Sequence, residues 1–178
     1  MTPHNPLFYS MQPIKAESKP HRRHYLADES ATAALGAALA RALQPGLVIY
    51  LHGDLGAGKT ALTRSLIHSL GHKGTVKSPT YTLSEPYQVM LDGKPLNVIH
   101  YDLYRMSSPE EFLDAGFRED FDGRNVCIVE WPEKGDPVLP PPDVHVLLNV
   151  SGPGREVELQ ALSELGLSCL DRLVFPPL

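Results

Sequence analysis

Apolar residues recur along this chain with two different periods. Leu35, Leu39 and Leu43 are spaced by four, and so are Leu62, Leu66 and Leu70; each set lines one face of a helix. The first helix is expected from an N-cap at Asp28 or Ser30 to about Leu43, where Pro45 and Gly46 stop it. The second is expected from Lys59 to Leu70, with Gly71 as its stop. Leu47–His52 (LVIYLH) and Val126–Trp131 (VCIVEW) are short unbroken runs of β-forming residues, the mark of buried parallel strands. Thr80–Met90 and Leu96–Tyr104 read as extended segments joined by the hairpin signal Asp92-Gly93. Val144–Val150 and Glu156–Leu162 read as two more strands around Gly152-Pro153-Gly154, and Arg23–Ala27 as a short edge strand. Ser108-Pro109-Glu110-Glu111 is a capping box with Pro at the first helical position; it opens a short helix that Gly116 ends. Three prolines at 140–142 mark a loop.

Helices alternating with buried strands predict an α/β domain, and the two hairpins make its β-sheet mixed, flanked by helices. Residues 1–22 are polar and Pro-rich without periodicity and are expected to form a flexible N-terminal tail. The domain is expected over 23–164. Residues 165–178 carry no decisive pattern and are set apart as a C-terminal tail.

Composition narrows the class. The chain has 178 residues, enough for one domain, and 42% of them are hydrophobic, enough for an ordinary core. A formal net charge of −5 argues against gripping a nucleic-acid backbone unaided. Cys127 and Cys169 form no CxxC pair and no His/Cys cluster at metal spacing, which fits a reducing cytoplasm. No apolar run approaches the roughly 20 residues that cross a bilayer, and the N-terminus has no apolar signal region.

The candidate chemistry lies between the Leu47–His52 strand and the Lys59 helix. Residues 53–60, GDLGAGKT, match G-x-x-x-x-G-K-[ST] through Gly53, Gly58, Lys59 and Thr60. Glycines let a backbone fold around an anion with successive N–H groups pointing inward, and the helix N-terminus adds its positive end. Gly53, Asp54, Leu55, Gly56, Ala57, Gly58, Lys59, Thr60 and Ala61 are thus the expected nucleotide-binding segment, with Lys59 on the β- and γ-phosphates and the Thr60 hydroxyl on Mg²⁺. Strand, Gly-loop and helix come in the order such a P-loop NTPase-like site requires.

The metal also needs a carboxylate at a neighbouring strand end. Asp102 follows NVIHY and Glu130 follows VCIV; either one holds Mg²⁺ or positions water. Ser78-Pro79-Thr80-Tyr81-Thr82 supplies hydroxyls of the kind switch segments place on a γ-phosphate. Trp131, the only tryptophan, directly follows Glu130 and is either core or a ring beside the nucleotide. There is no NKxD or TKxD tetrad for guanine and no Arg-rich lid. A metabolite phosphotransferase, the alternative reading, would need such a lid.

HGDLGAGKT at 52–60, SPTYTL at 78–83, HYDLYR at 100–105, EEFLDAGF at 110–117 and VEWPEKG at 129–135 follow one another in the order and spacing of the TsaE family, which this chain resembles over about residues 28–160. The resemblance implies a P-loop ATPase with a mixed sheet. Its role would be as an accessory subunit, required for threonylcarbamoyladenosine modification of tRNAs reading ANN codons. It implies action with TsaB and TsaD, contact with tRNA only through them, and a cytoplasmic place. By motif it assigns ATP to Gly53 through Thr60 and Mg²⁺ to Thr60 and Glu130. It gives Asp102 a part in hydrolysis, puts Thr80 in a switch-like segment and Trp131 near the nucleotide. The longer N-terminal tail and the C-terminal residues depart from the family and leave the motifs untouched.

Overall fold

A computed structural model describes residues 21–176. The elements run β1 (His21–Leu26), α1 (Glu29–Ala42), β2 (Val48–His52), α2 (Lys59–Ser69), β3 (Ser84–Leu91), β4 (Lys94–Asp102), α3 (Glu110–Asp114), β5 (Val126–Glu130), β6 (Val144–Ser151), β7 (Gly154–Ala161) and α4 (Glu164–Arg172). Single 3₁₀ turns at Phe117–Asp120 and Pro132–Gly135 complete them. The strands form one mixed sheet in the order β1-β7-β6-β2-β5-β4-β3. The three parallel pairings, β2 with β6, β2 with β5 and β4 with β5, occupy its centre. The hairpins β3–β4 and β6–β7 and the edge strand β1 pair antiparallel.

Strand alternation sorts side chains onto two faces. Ile49, Leu51, Val126, Ile128, Val146 and Leu148 join one core with Leu35 and Leu39 of α1 and Leu62 and Leu66 of α2. Val48, Tyr50, Cys127, Val129, Ile99 and Tyr101 join a second core, closed by Leu103, Met106, Phe112 and Leu139. The central strands are therefore apolar on both faces, which is why they read as unbroken runs.

The Asp28 carboxylate caps α1 by accepting from the Ala31 N–H at 2.9 Å, one of the two residues expected. Four expectations are corrected. The extended segment placed at Thr80 begins at Ser84: Leu83 N–H closes a turn onto Pro79 O at 2.9 Å, and Leu83 itself has φ 66°. The capping box at 108–111 forms no Ser108 side-chain cap. Pro109 takes the N-cap place, and Glu111 Oε2 accepts from the Ser107 N–H at 3.2 Å instead. The stretch set apart as a C-terminal tail contains α4, whose N-cap Ser163 accepts from the Gly166 N–H at 3.0 Å. Cys169, Leu170, Leu173 and Phe175 are buried in the α1–α2 core. Arg22 of β1 holds that segment by donating to Leu173 O at 2.5 Å and Phe175 O at 2.9 Å. Of the expected N-terminal tail, residues 1–20 lie outside the described residues, and His21 and Arg22 already belong to β1. Among the described residues no helix is long and apolar enough to cross a membrane.

Candidate functional site

The parallel register sets three strand ends side by side. Leu51 of β2 pairs with Glu130 of β5, and Glu130 pairs with Asp102 of β4. Both acids thus stand at carboxyl ends of central strands, next to the loop that leaves β2, where ligands of open α/β sheets bind.

That loop needs its glycines. Gly53 has φ 152°, and a Cβ there would lie 2.6 Å from Leu148 O of β6. Gly58, the residue before α2, has φ 108°, a conformation side chains rarely adopt. Ala57 N–H bonds Asp54 O at 3.0 Å and closes the turn. The first amides of α2, those of Lys59, Thr60 and Ala61, start an 11-residue helix and have the positive end of its dipole behind them. Arg155 of β7 grips the loop from outside, donating from Nε to Ala57 O at 3.1 Å and from Nη2 to Gly56 O at 3.0 Å. In a trans peptide the N–H points opposite to the carbonyl, so this grip turns the Gly58 N–H the other way.

A cavity of about 420 Å³ opens beside the loop. Of the sequence-predicted residues, Leu55, Gly56, Ala57, Gly58, Lys59, Thr60, Ala61, Thr80, Asp102, Glu130 and Trp131 line it; Gly53 and Asp54 do not. Gly53 instead gives its carbonyl to the Lys59 ammonium. Lys59 is 5% exposed and its Nζ lies 3.7 Å from the centre of the Trp131 ring. Burial lowers its pKa, opposed by the charges of Glu130, Asp102, Glu133 and Asp54. Trp131 sits at φ 58°, uncommon for a bulky residue, and packs on Tyr104 at 4.9 Å between ring centres.

The Thr60 hydroxyl lies 3.2 Å from Glu130 Oε1 and 3.1 Å from Oε2. His100 Nε2 lies 2.6 Å from the same Oε2. Asp102 is held differently: the Ser78 hydroxyl donates to its Oδ2 and the Tyr104 N–H to its Oδ1 at 3.1 Å. Thr80 Oγ1 reaches Ser78 O at 3.4 Å. Arg105 lays its guanidinium over Tyr81 at 5.0 Å.

The donor set fits Mg²⁺. A hydroxyl and a carboxylate already within contact of each other are hard oxygen donors, and Mg²⁺ takes few protein ligands beside phosphates and waters. Among the described residues no group of three or more His, Cys, Asp or Glu forms a cage that would favour a protein-enclosed metal.

The family model described as "Threonylcarbamoyl adenosine biosynthesis protein TsaE" matches residues 26–157. The chain belongs to the TsaE family. It is 42% identical over 147 residues to the tRNA threonylcarbamoyladenosine biosynthesis protein TsaE of Haemophilus influenzae, covering 80% of this chain and 90% of that one. It is 38% identical over 136 residues to the Bacillus subtilis protein of the same name, covering 76% and 80%. Among solved structures it resembles the crystal structure of Bacillus subtilis YdiB, with a TM-score of 0.70 and 28% identity, covering 86% of this chain and 95% of that one. The fold expected from the TsaE resemblance is therefore the fold observed.

In this TsaE chain two site residues escaped sequence reasoning. His100 sits inside an apolar strand run and reads as core; strand alternation, which puts it on the face of Asp102 and Glu130, was the available signal. Arg155 lies 98 residues from the carbonyl it grips, and no local pattern announces it.

Proposed function

We propose that this chain binds ATP with Mg²⁺ in the 420 Å³ cavity and hydrolyses it, serving threonylcarbamoyladenosine biosynthesis. The observation that carries this reading is the convergence of Lys59, Thr60 and Glu130 at one strand end, with the Thr60 hydroxyl 3.1–3.2 Å from the Glu130 carboxylate. Bound Mg²⁺ would neutralise charge shared between the β- and γ-phosphates. Thr60 and Glu130 are the residues that would hold it. Lys59 leaves Gly53 O and the Trp131 face to meet the phosphates. Asp102, with a half-exposed carboxylate at the cavity, orients the attacking water, and Thr80 follows the loop bonded to it. Hydrolysis by the chain alone is slow, because Arg105, a cation at the cavity rim, is drawn over Tyr81; a partner that supplies or redirects such a charge accelerates this chemistry by about 10³–10⁵.

The names of its relatives support the wider role. The chain acts in the cytoplasm as an accessory subunit for modification of tRNAs reading ANN codons, docking on TsaB and TsaD. It meets tRNA only through them, since its net charge is −5. Lys59→Ala tests both levels. Calorimetry is expected to show ATP affinity lowered by at least about 100-fold, as loss of a charge-assisted phosphate contact implies. Nucleoside mass spectrometry of tRNA from depleted cells is expected to show the modification reduced and not restored by Lys59→Ala. Unchanged ATP affinity would remove the nucleotide site; a normal modification level on depletion would remove the tRNA role and reopen the metabolite-kinase reading.

A further inference from the structure

His100 is fully buried and Glu130 is 3% exposed, yet the two bond at 2.6 Å. An ionised carboxylate offers only acceptors, so the hydrogen between them sits on Nε2. The other ring nitrogen, Nδ1, is buried and has no hydrogen-bond partner. A half-satisfied imidazole is a costly core residue. Its surroundings would take an aliphatic side chain more cheaply: Val98 precedes it on the same face of β4, and Ile128 is its register partner on β5. Something other than core stability accounts for a histidine here.

Its position supplies the reason. His100 is two residues before Asp102 on β4, and Ile128 is two residues before Glu130 on β5, so the imidazole sits diagonally behind the Glu130 carboxylate. Glu130 lines the cavity and His100 does not. The carboxylate is thus held from two sides, by Thr60 toward the cavity and by His100 from within the sheet. Thr60 is itself a candidate metal donor through an oxygen lone pair, and its hydrogen stays free for Glu130. His100, outside the cavity, has no such second role there, and its bond is the one that holds Glu130 from within the sheet.

We infer that His100 is a positioning residue, which fixes the Glu130 carboxylate for the metal through the Nε2 hydrogen bond and touches neither nucleotide nor cation. The inference rests on the Mg-ATP reading above. Groups that orient a metal's ligands typically change affinity or activity 10–100-fold when removed.

The test titrates Mg²⁺ into the full chain with mant-ATP, a fluorescent ATP analogue, for the wild type, Glu130→Gln, His100→Leu and His100→Gln. His100→Leu is expected to raise the half-saturating Mg²⁺ about tenfold or more while leaving mant-ATP affinity in EDTA unchanged. His100→Gln, which returns an N–H near the Nε2 position, is expected to recover most of the loss. If Glu130→Gln shifts the Mg²⁺ requirement and His100→Leu does not, the positioning role alone is overturned. If the wild type shows no Mg²⁺-dependent binding, the nucleotide reading falls and this inference falls with it. Should His100→Leu fail to fold, ¹⁵N NMR of the wild-type ring decides: protonation at Nε2 with a slowly exchanging N–H, changed in Glu130→Gln, is expected. Protonation at Nδ1 alone overturns the inference.

Discussion

The two acids at the strand ends are register neighbours and live in different mechanical surroundings. Glu130 is buried, and both of its partners stand on regular elements, Thr60 in α2 and His100 in β4. Asp102 is half-exposed, and its partners Ser78 and Tyr104 belong to loops. The Ser78 loop carries Tyr81, 85% exposed, and turns through Leu83 at φ 66°. A charge held by packed elements keeps its place whatever binds. A charge held by a loop follows that loop. On the function proposed above, one sheet would offer a fixed acid for a metal and, on the neighbouring strand, an adjustable acid for a water.

The largest expected effect breaks or upholds that division. Glu130→Gln and Asp102→Asn each remove one charge at nearly constant volume. Glu130→Gln is expected to weaken Mg-ATP binding by at least about tenfold, because a ligand of the cation is lost. Asp102→Asn is expected to leave binding within twofold and to slow single-turnover hydrolysis about 10²-fold, the scale of a positioned base. Calorimetry and single-turnover hydrolysis on both variants check the pair. Exchanged phenotypes would mean that the loop-held acid binds the metal; wild-type rates in both would place neither in the site.

The fixed half of this centre was more legible in the sequence than the adjustable half. Gly53, Gly58, Lys59 and Thr60 announce themselves because an anion site at a strand–helix junction demands those residues in that local order. Acids closing apolar runs flagged Asp102 and Glu130. Sequence alone left the two acids equivalent, because what distinguishes their surroundings comes from elsewhere in the chain: Thr60 is 70 residues from Glu130, and Ser78 is 24 from Asp102. The segment at 80–83 looked extended because β-formers there are indistinguishable from a strand until Pro79 and Leu83 close the turn. Helix α4 was missed because Gly166 lowers its propensity. Yet Gly166 is required there, since a Cβ would lie 1.9 Å from Asp143 O; the spacing Leu165, Cys169, Leu173 behind Ser163 was the overlooked sign.

A smaller effect sharpens the comparison at the loop. Ser78→Ala removes one of the two bonds to Asp102 and leaves the Tyr104 N–H in place. A net hydrogen bond is worth about 1 kcal/mol, or about fivefold in rate if it acts only on the reacting state. Hydrolysis is expected to slow by that factor with Mg-ATP affinity unchanged, and Ser78→Thr is expected to restore part of it. If Ser78→Ala weakens Mg-ATP binding instead, the loop contributes to the metal site, and the contrast between the two acids is lost.

The smallest effect concerns what gives way first as the pH falls. The first loss of stability between about pH 6.5 and 4 is expected away from the two acids. His52 and His145 supply a source on the opposite face of the sheet. Their rings share a hydrogen bond, Nε2 to Nδ1, at 2.6 Å, and the Tyr50 ring stands edge-on to both. Burial lowers both pKa values. That of His145 falls to about 4, with His52 adding to the shift; for His52 the charges of Glu133 and Asp136 oppose it and Lys59 reinforces it. A histidine whose folded pKa lies below its unfolded value near 6.5 takes up protons on unfolding in that window. Its contribution is therefore full above pH 6.5 and is lost as the pH falls toward 4. The rings are only half-buried, so solvent screening reduces the expected loss to about 1 kcal/mol, or about 2–4 °C of melting temperature for a chain of this size. His145→Gln, which cannot titrate, is expected to lose that much less than the wild type between pH 7.5 and 4.5 in thermal melts followed by circular dichroism. An identical loss in both proteins would move the acid-sensitive group to another part of the fold.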